Sequence, residues 1–291
     1  MELLVVLGRL LFSSFANVYQ KKLAHQGLHP FFIVMASYLV LSIICVPLIW
    51  SCHPEQLSQN FWFNIFFAAL LDMAGTLFLV MSLSKTDLSV FGPLNAYKVV
   101  ISMFLAMIFI GEIPSLQGFI GVAIIVLGSY FLFPPSTHHI NAGRLLHLFL
   151  EKGVQYRFLS ILLFSIGTLP LKNAVIEGNA LATTVFWCLI GFPLAIIAHT
   201  VFIKDSFRSD LAQSKQQLPQ FIYLGILIFL MQYMTMIVFS QLLIAYSLAL
   251  FQLAMVLQVF LGYRIFNEQH ILRRLLASMV MVVGSLLVLK A

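Results

Sequence analysis

The sequence predicts an all-α integral membrane protein whose ten transmembrane helices form two inverted five-helix repeats. Three observations carry that expectation. The chain has 291 residues, of which 61% are hydrophobic and only 9% charged, well below the charge density of an ordinary soluble domain. Apolar runs recur along its whole length at the roughly 20 residues needed for a helix to cross a bilayer. Stretches from the two halves can also be laid over one another without gaps, the mark of an internal repeat.

The ten runs fall at about 2–21, 30–50, 61–84, 88–110, 114–133, 156–175, 180–203, 218–240, 246–263 and 271–289. The polar stretches 134–155 and 204–217 read as short loops. MELLVVLGRLLFSSFANVY carries a negative residue in its n-region, an arginine in its apolar part and no small-residue cleavage site, so it reads as the first helix rather than a removable leader. Cys45, Cys52 and Cys188 lack metal-ligand spacing, and packing is their expected use. No metal and no cofactor is expected.

The net charge of +6 does not point to nucleic acid, because the basic residues are scattered through several loops rather than gathered on one face. They report orientation. Loops after the odd-numbered helices, with the adjacent helix ends, carry Lys21, Lys22, Lys85, Arg144, Lys152, Arg157, Lys204, Arg208, Lys215, Arg264, Arg273 and Arg274; the opposite side has Lys172 and Lys290. By the positive-inside rule this count places both termini outside.

The repeat is visible in two registers. Residues 111–129 align with 267–285, setting Glu112 on Glu268 and Gly128-Ser129 on Gly284-Ser285; a shift of 151 sets Ser14 on Ser165, Lys21 on Lys172 and Gly27 on Gly178. The halves are therefore 1–133 and 155–291, joined by a connecting loop at 134–154. With five helices each, the second half enters the membrane upside down relative to the first, and the site belongs at the midplane between them.

At this point the chain resembles the drug/metabolite transporter superfamily, in particular its ten-helix EamA-type members. Lys21 and Gly27-Leu28-His29-Pro30, Ser82-Leu83-Ser84-Lys85-Thr86-Asp87, and Ile110-Gly111-Glu112 with its repeat at Glu268 carry the resemblance. It implies a metabolite transporter of the bacterial cytoplasmic (inner) membrane, with amino acids, nucleotide-linked compounds or other organic solutes as substrates. It also implies cytoplasmic termini, against the charge count. SCHPEQLSQN at 51–60 lacks the basic residues that relatives carry there.

Only Arg9, Asp72 and Lys98 are expected well inside a span. A charge at a helix centre costs at least about 2.5–3.5 kcal/mol, so three of them require partners or a wet cavity. Counted at 1.5 Å per residue from the connecting turns, all three lie roughly 20 Å from one face. Asp72 and Lys98, on consecutive antiparallel helices, are expected to meet. Asn95, Lys98 and Ser102 form one stripe, and Arg9, Ser13 and Asn17 another; Thr76 accompanies Asp72. From the second half come Ser165, Thr168, Gln232, Tyr233 and Gln252. Pro93 and Pro170 remove backbone donors near these positions.

The residues leave structural roles open beside functional ones. Asp72–Lys98 is also what a packing ion pair would look like, and Arg9 is close enough to the first residue to snorkel. Glu112 and Glu268 read as helix-end or turn residues. The expected function is a secondary transporter for a small anionic or zwitterionic metabolite, monomeric and surrounded by lipid, with Arg9 and Lys98 on the acidic group and Asp72 as the candidate coupling carboxylate. A flippase for a lipid-linked phosphate is the alternative. An integral-membrane enzyme is disfavoured, since ten acidic residues spread singly offer no convergent acid, base or metal set.

Overall fold

The computed structural model describes residues 2–109, 115–132, 149–203, 207–242 and 244–289, and those residues form helices and turns without a strand. In chain order the α-helices are α1 (Glu2–His25), α2 (Pro30–Cys45), α3 (Gln59–Leu83), α4 (Leu88–Phe91), α5 (Tyr97–Phe109), α6 (Leu116–Tyr130), α7 (Lys152–Glu177), α8 (Ala180–Phe202), α9 (Phe207–Ser214), α10 (Leu218–Gln241), α11 (Ile244–Phe251), α12 (Ala254–Phe266) and α13 (Ile271–Leu289). Among the described residues, seven helical stretches are long and apolar enough to cross a membrane: Pro30–Cys52, Gln59–Leu83, Leu88–Leu105, Lys152–Glu177, Ala180–Phe202, Leu218–Gln241 and Ile271–Val288.

Local chemistry sets the helix starts. Ser58, Ser115 and Asn179 turn side-chain oxygens onto the backbone N–H of Phe61, Gly118 and Ala182, at 3.0, 3.2 and 2.8 Å. Pro30 opens α2, where its missing N–H costs nothing. Two of the expected spans are broken. At 93–96 a 3-10 turn beginning with Pro93 separates α4 from α5, and a turn at 252–253 separates α11 from α12. The 204–217 stretch, expected as a loop, contains α9.

The tightest packing uses glycine. On α3, Gly75 faces the Phe164 ring, and on α7, Gly167 faces Asp72 and Leu71, so these helices approach closely. Gly121 of α6 and Gly284 of α13 oppose one another, each close enough that a methyl group would meet the other's carbonyl oxygen at 2.7 or 2.8 Å. Other extensive contacts join α1 to α10 and α2 to α8. The main apolar core gathers α1, α2, α3, α8 and α10 around Ile33, Phe61, Ile65 and Leu224.

Candidate functional site

A cavity of about 180 Å³ lies among α1, α2, α3, α5, α7, α8, α10, α11 and α12. Arg9, Ser13, Asn17, Asp72, Thr76, Asn95, Lys98, Thr168, Gln232 and Gln252 all line it. Ser102, Ser165 and Tyr233 do not. Ser102 is one helical turn beyond Lys98, Ser165 is buried with its hydroxyl on the Ile161 carbonyl at 2.8 Å, and Tyr233 stacks on Phe229 with ring centroids 6.4 Å apart. Several lining hydroxyls likewise donate within their own helix: Ser13 to Leu10 O, Thr76 to Asp72 O and Thr168 to Phe164 O.

The expected Asp72–Lys98 contact is replaced by another. Asp72 Oδ2 accepts the indole N–H of Trp187 at 3.0 Å, and no ion pair joins Asp72 to Lys98 among the described residues. Lys98 still lies within electrostatic reach of Asp72, Arg9 and Arg157. Arg9 does not snorkel. Its guanidinium lies over the Phe251 ring, Cζ 3.7 Å from the centroid, and its Nε donates to Thr235 Oγ1 at 3.3 Å.

The fourth charge at the cavity was missed by the sequence reading. Arg157, counted there with the loops and adjacent helix ends, sits inside α7 at 4% exposure and lines the cavity. Its Nη2 donates to Asn95 Oδ1 at 2.9 Å, and its Cζ lies 4.0 Å from the Phe91 centroid. Asn95 in turn donates to Gln252 Oε1 at 3.3 Å, joining the broken segments at 93–96 and 252–253. The missed signal was helix phase: Arg157, Phe164, Thr168 and Leu171 follow helical spacing along one cavity-lining face once α7 starts at Lys152 instead of 156.

A second ionic cluster lies towards the C-terminal end of α1, next to the lining residue Gln20. Lys21 Nζ meets Glu268 Oε1 at 2.9 Å and Thr86 O at 2.8 Å, with both charged side chains at most 5% exposed. Glu268 also accepts the backbone N–H of Leu88 at 2.7 Å and of Ser89 at 2.8 Å. Arg274 reaches Asp87 at 2.8 Å and the far oxygen of Glu268 at 3.7 Å. Gly262 makes room, since a methyl group there would collide with the Glu268 carboxylate. Glu268 is thus a turn residue, as expected, but a buried and fully engaged one; Glu112 lies outside the described residues. Lys21, Arg157 and Arg274, counted with the loops and helix ends in the charge tally, are accordingly buried groups.

This cluster makes stability depend on acidity. Burial by itself would raise the Glu268 carboxyl, but the Lys21 ammonium and the Ser89 hydrogen bonds outweigh it and hold the group below the usual carboxylate range. A depressed folded-state value means that the stabilisation is full above the unfolded value of about 4.3 and disappears as pH falls through the folded one. Thermal unfolding midpoints of the purified protein should therefore drop on acidification below about pH 4.3. In Glu268→Gln that component of the decline should be missing; the same acid profile in both proteins would remove the assignment.

Apolar outer helices around a charged cavity define an integral membrane protein with an internal polar site. Residues 1–133 match the model of the EamA-like transporter family, which supports the resemblance to the EamA-type members of the drug/metabolite transporter superfamily. No curated protein matches the chain. A solved crystal structure of another protein covers 98% of this chain and 94% of its own at a TM-score of 0.65 and 12% identity, a likeness of fold alone.

Proposed function

We propose that the protein is a secondary transporter that carries a small anionic or zwitterionic metabolite through the central cavity by alternating access. The observation that carries this is the convergence of Arg9, Lys98, Arg157 and Asp72 on one cavity inside the spans, where isolated charges are costly. A pocket of about 180 Å³ favours a small solute over a lipid headgroup with its chain. For comparison, roughly 150 Å³ holds benzene.

Two five-helix halves, 1–133 and 155–291 around a connecting loop, and ten spans in all are part of this reading. The packing supports them. Exchanging the halves converts the α3–α7 contact into α10–α1, and returns α2–α8 and α6–α13 to themselves; each of these is an extensive contact. The exchange extends to residues. Gly121 faces Gly284 and Gly128 faces Ala277, and the Glu112-to-Glu268 offset interchanges those pairs. Lys21 donates to Thr86 O after α3, while its mate Lys172 donates to the carbonyls of Phe239 and Leu242 at the end of α10. Broken helices meeting midway, through Asn95 and Gln252, suit a midplane site.

The bacterial cytoplasmic membrane is the proposed location, and the remaining basic loop residues keep their excess on the side opposite the termini. Metabolite profiling of cells with and without the gene tests the function. A small anion or zwitterion should change its distribution across the membrane, and the change should follow flux in vesicles containing the purified protein. Identical pools, with no flux in vesicles, would sink the proposal.

A further inference from the structure

The charge inventory of the cavity supports a sharper statement about its occupant, one that rests on the transport reading. Three cations, Arg9, Lys98 and Arg157, face one carboxylate, Asp72. That carboxylate already receives the Trp187 indole N–H. The cations retain spare donors: among the described residues, Lys98 Nζ makes no hydrogen bond and the buried Nε of Arg157 has no partner. The nearby amides do not discriminate, because Gln232 and Gln252 leave an NH2 group unpaired whereas Gln20 and Gln258 leave a carbonyl oxygen unpaired. Charge is what discriminates.

In a medium where unpaired charge is expensive, a zwitterion would leave the formal surplus of two positive charges untouched, and a monoanion would leave one. A ligand with two negative charges cancels it. The volume of about 180 Å³ limits that ligand to a compact molecule, too small for a nucleotide-linked compound. Tyr38, Trp187 and Phe251 in the wall offer surface to a carbon skeleton rather than to a bare inorganic ion. We infer that the cavity takes a small organic dianion, a dicarboxylate or a phosphate monoester, and that Arg157 is the cation that sets its preference over monoanions and zwitterions. Asn95 and the Phe91 face fix the guanidinium in place for this task.

The test uses the full chain in vesicles with four labelled probes: succinate, glycerol phosphate, butyrate and alanine. Succinate or glycerol phosphate should raise the thermal unfolding midpoint and be taken up, while butyrate and alanine do neither. Arg157→Gln should weaken dianion binding by about 10- to 100-fold, the loss of one charge-assisted contact, and abolish the preference for two charges. Arg157→Lys, which keeps the charge, should bind less tightly but retain the preference, and its folding is checked by the same unfolding measurement. Uptake of alanine or butyrate at least as fast as the dianions, blocked by Lys98→Met, overturns the dianion assignment and leaves the transport reading standing. An unchanged dianion preference in folded Arg157→Gln overturns the role of Arg157. Uptake of none of the four by folded protein overturns both the inference and the transport reading.

Discussion

Lys98→Met is expected to cut flux by on the order of 100-fold while the protein still reaches the membrane and unfolds at the same temperature or higher. Methionine nearly matches lysine in length and has no charge. Lys98 makes no ion pair with Asp72, whose carboxylate is on Trp187, so the substitution breaks no internal bond. It removes a cation whose presence inside a span costs at least about 2.5–3.5 kcal/mol, and stability should not fall. Function should fall, since the ammonium is one of three positive groups at the cavity. The combination of steady or raised stability with lost transport separates a binding lysine from a packing lysine. Normal flux in Lys98→Met rejects the binding role, and a lowered unfolding temperature would assign Lys98 to packing instead.

Glu268→Ala should have the largest effect on folding, about 3–5 kcal/mol, the usual consequence of removing one partner from a buried ion pair. The Lys21 and Glu268 side chains are 3% and 5% exposed, so solvent does little to screen the loss. Alanine would leave the Lys21 ammonium without its carboxylate, on the Thr86 carbonyl and the Phe266 ring, and the N–H groups of Leu88 and Ser89 without their acceptor. Glu268→Gln keeps an oxygen for those N–H groups and should fall between wild type and alanine. Thermal unfolding of the three purified proteins measures the order. Alanine behaving like wild type would show that the cluster does not hold α1, α4 and the α12–α13 turn together.

The two clusters differ in how far the sequence announced them. Arg9, Asp72 and Lys98 stood out because each is charged within a long apolar run, and all three line the cavity. Arg157 did not, because the polar stretch before it looks like loop until α7 is seen to begin at Lys152. Glu268 could be read as a turn residue from its place between two apolar runs, but not as the partner of Lys21, 247 positions away. Trp187 as the partner of Asp72 was equally hidden, since one aromatic in an apolar helix carries no pattern of its own.

By itself the sequence determined the helical membrane class, through the length of its apolar runs, and the residues expensive enough to need explanation, through their charge. Both are properties of local composition, for which a bilayer sets the energetic scale. Only the tertiary structure decided who meets whom: Asp72 with Trp187, Arg157 with Asn95, Lys21 with Glu268. Those pairings depend on helix phase and on close approach at glycines such as Gly167 and Gly262, distances that no count along the chain contains.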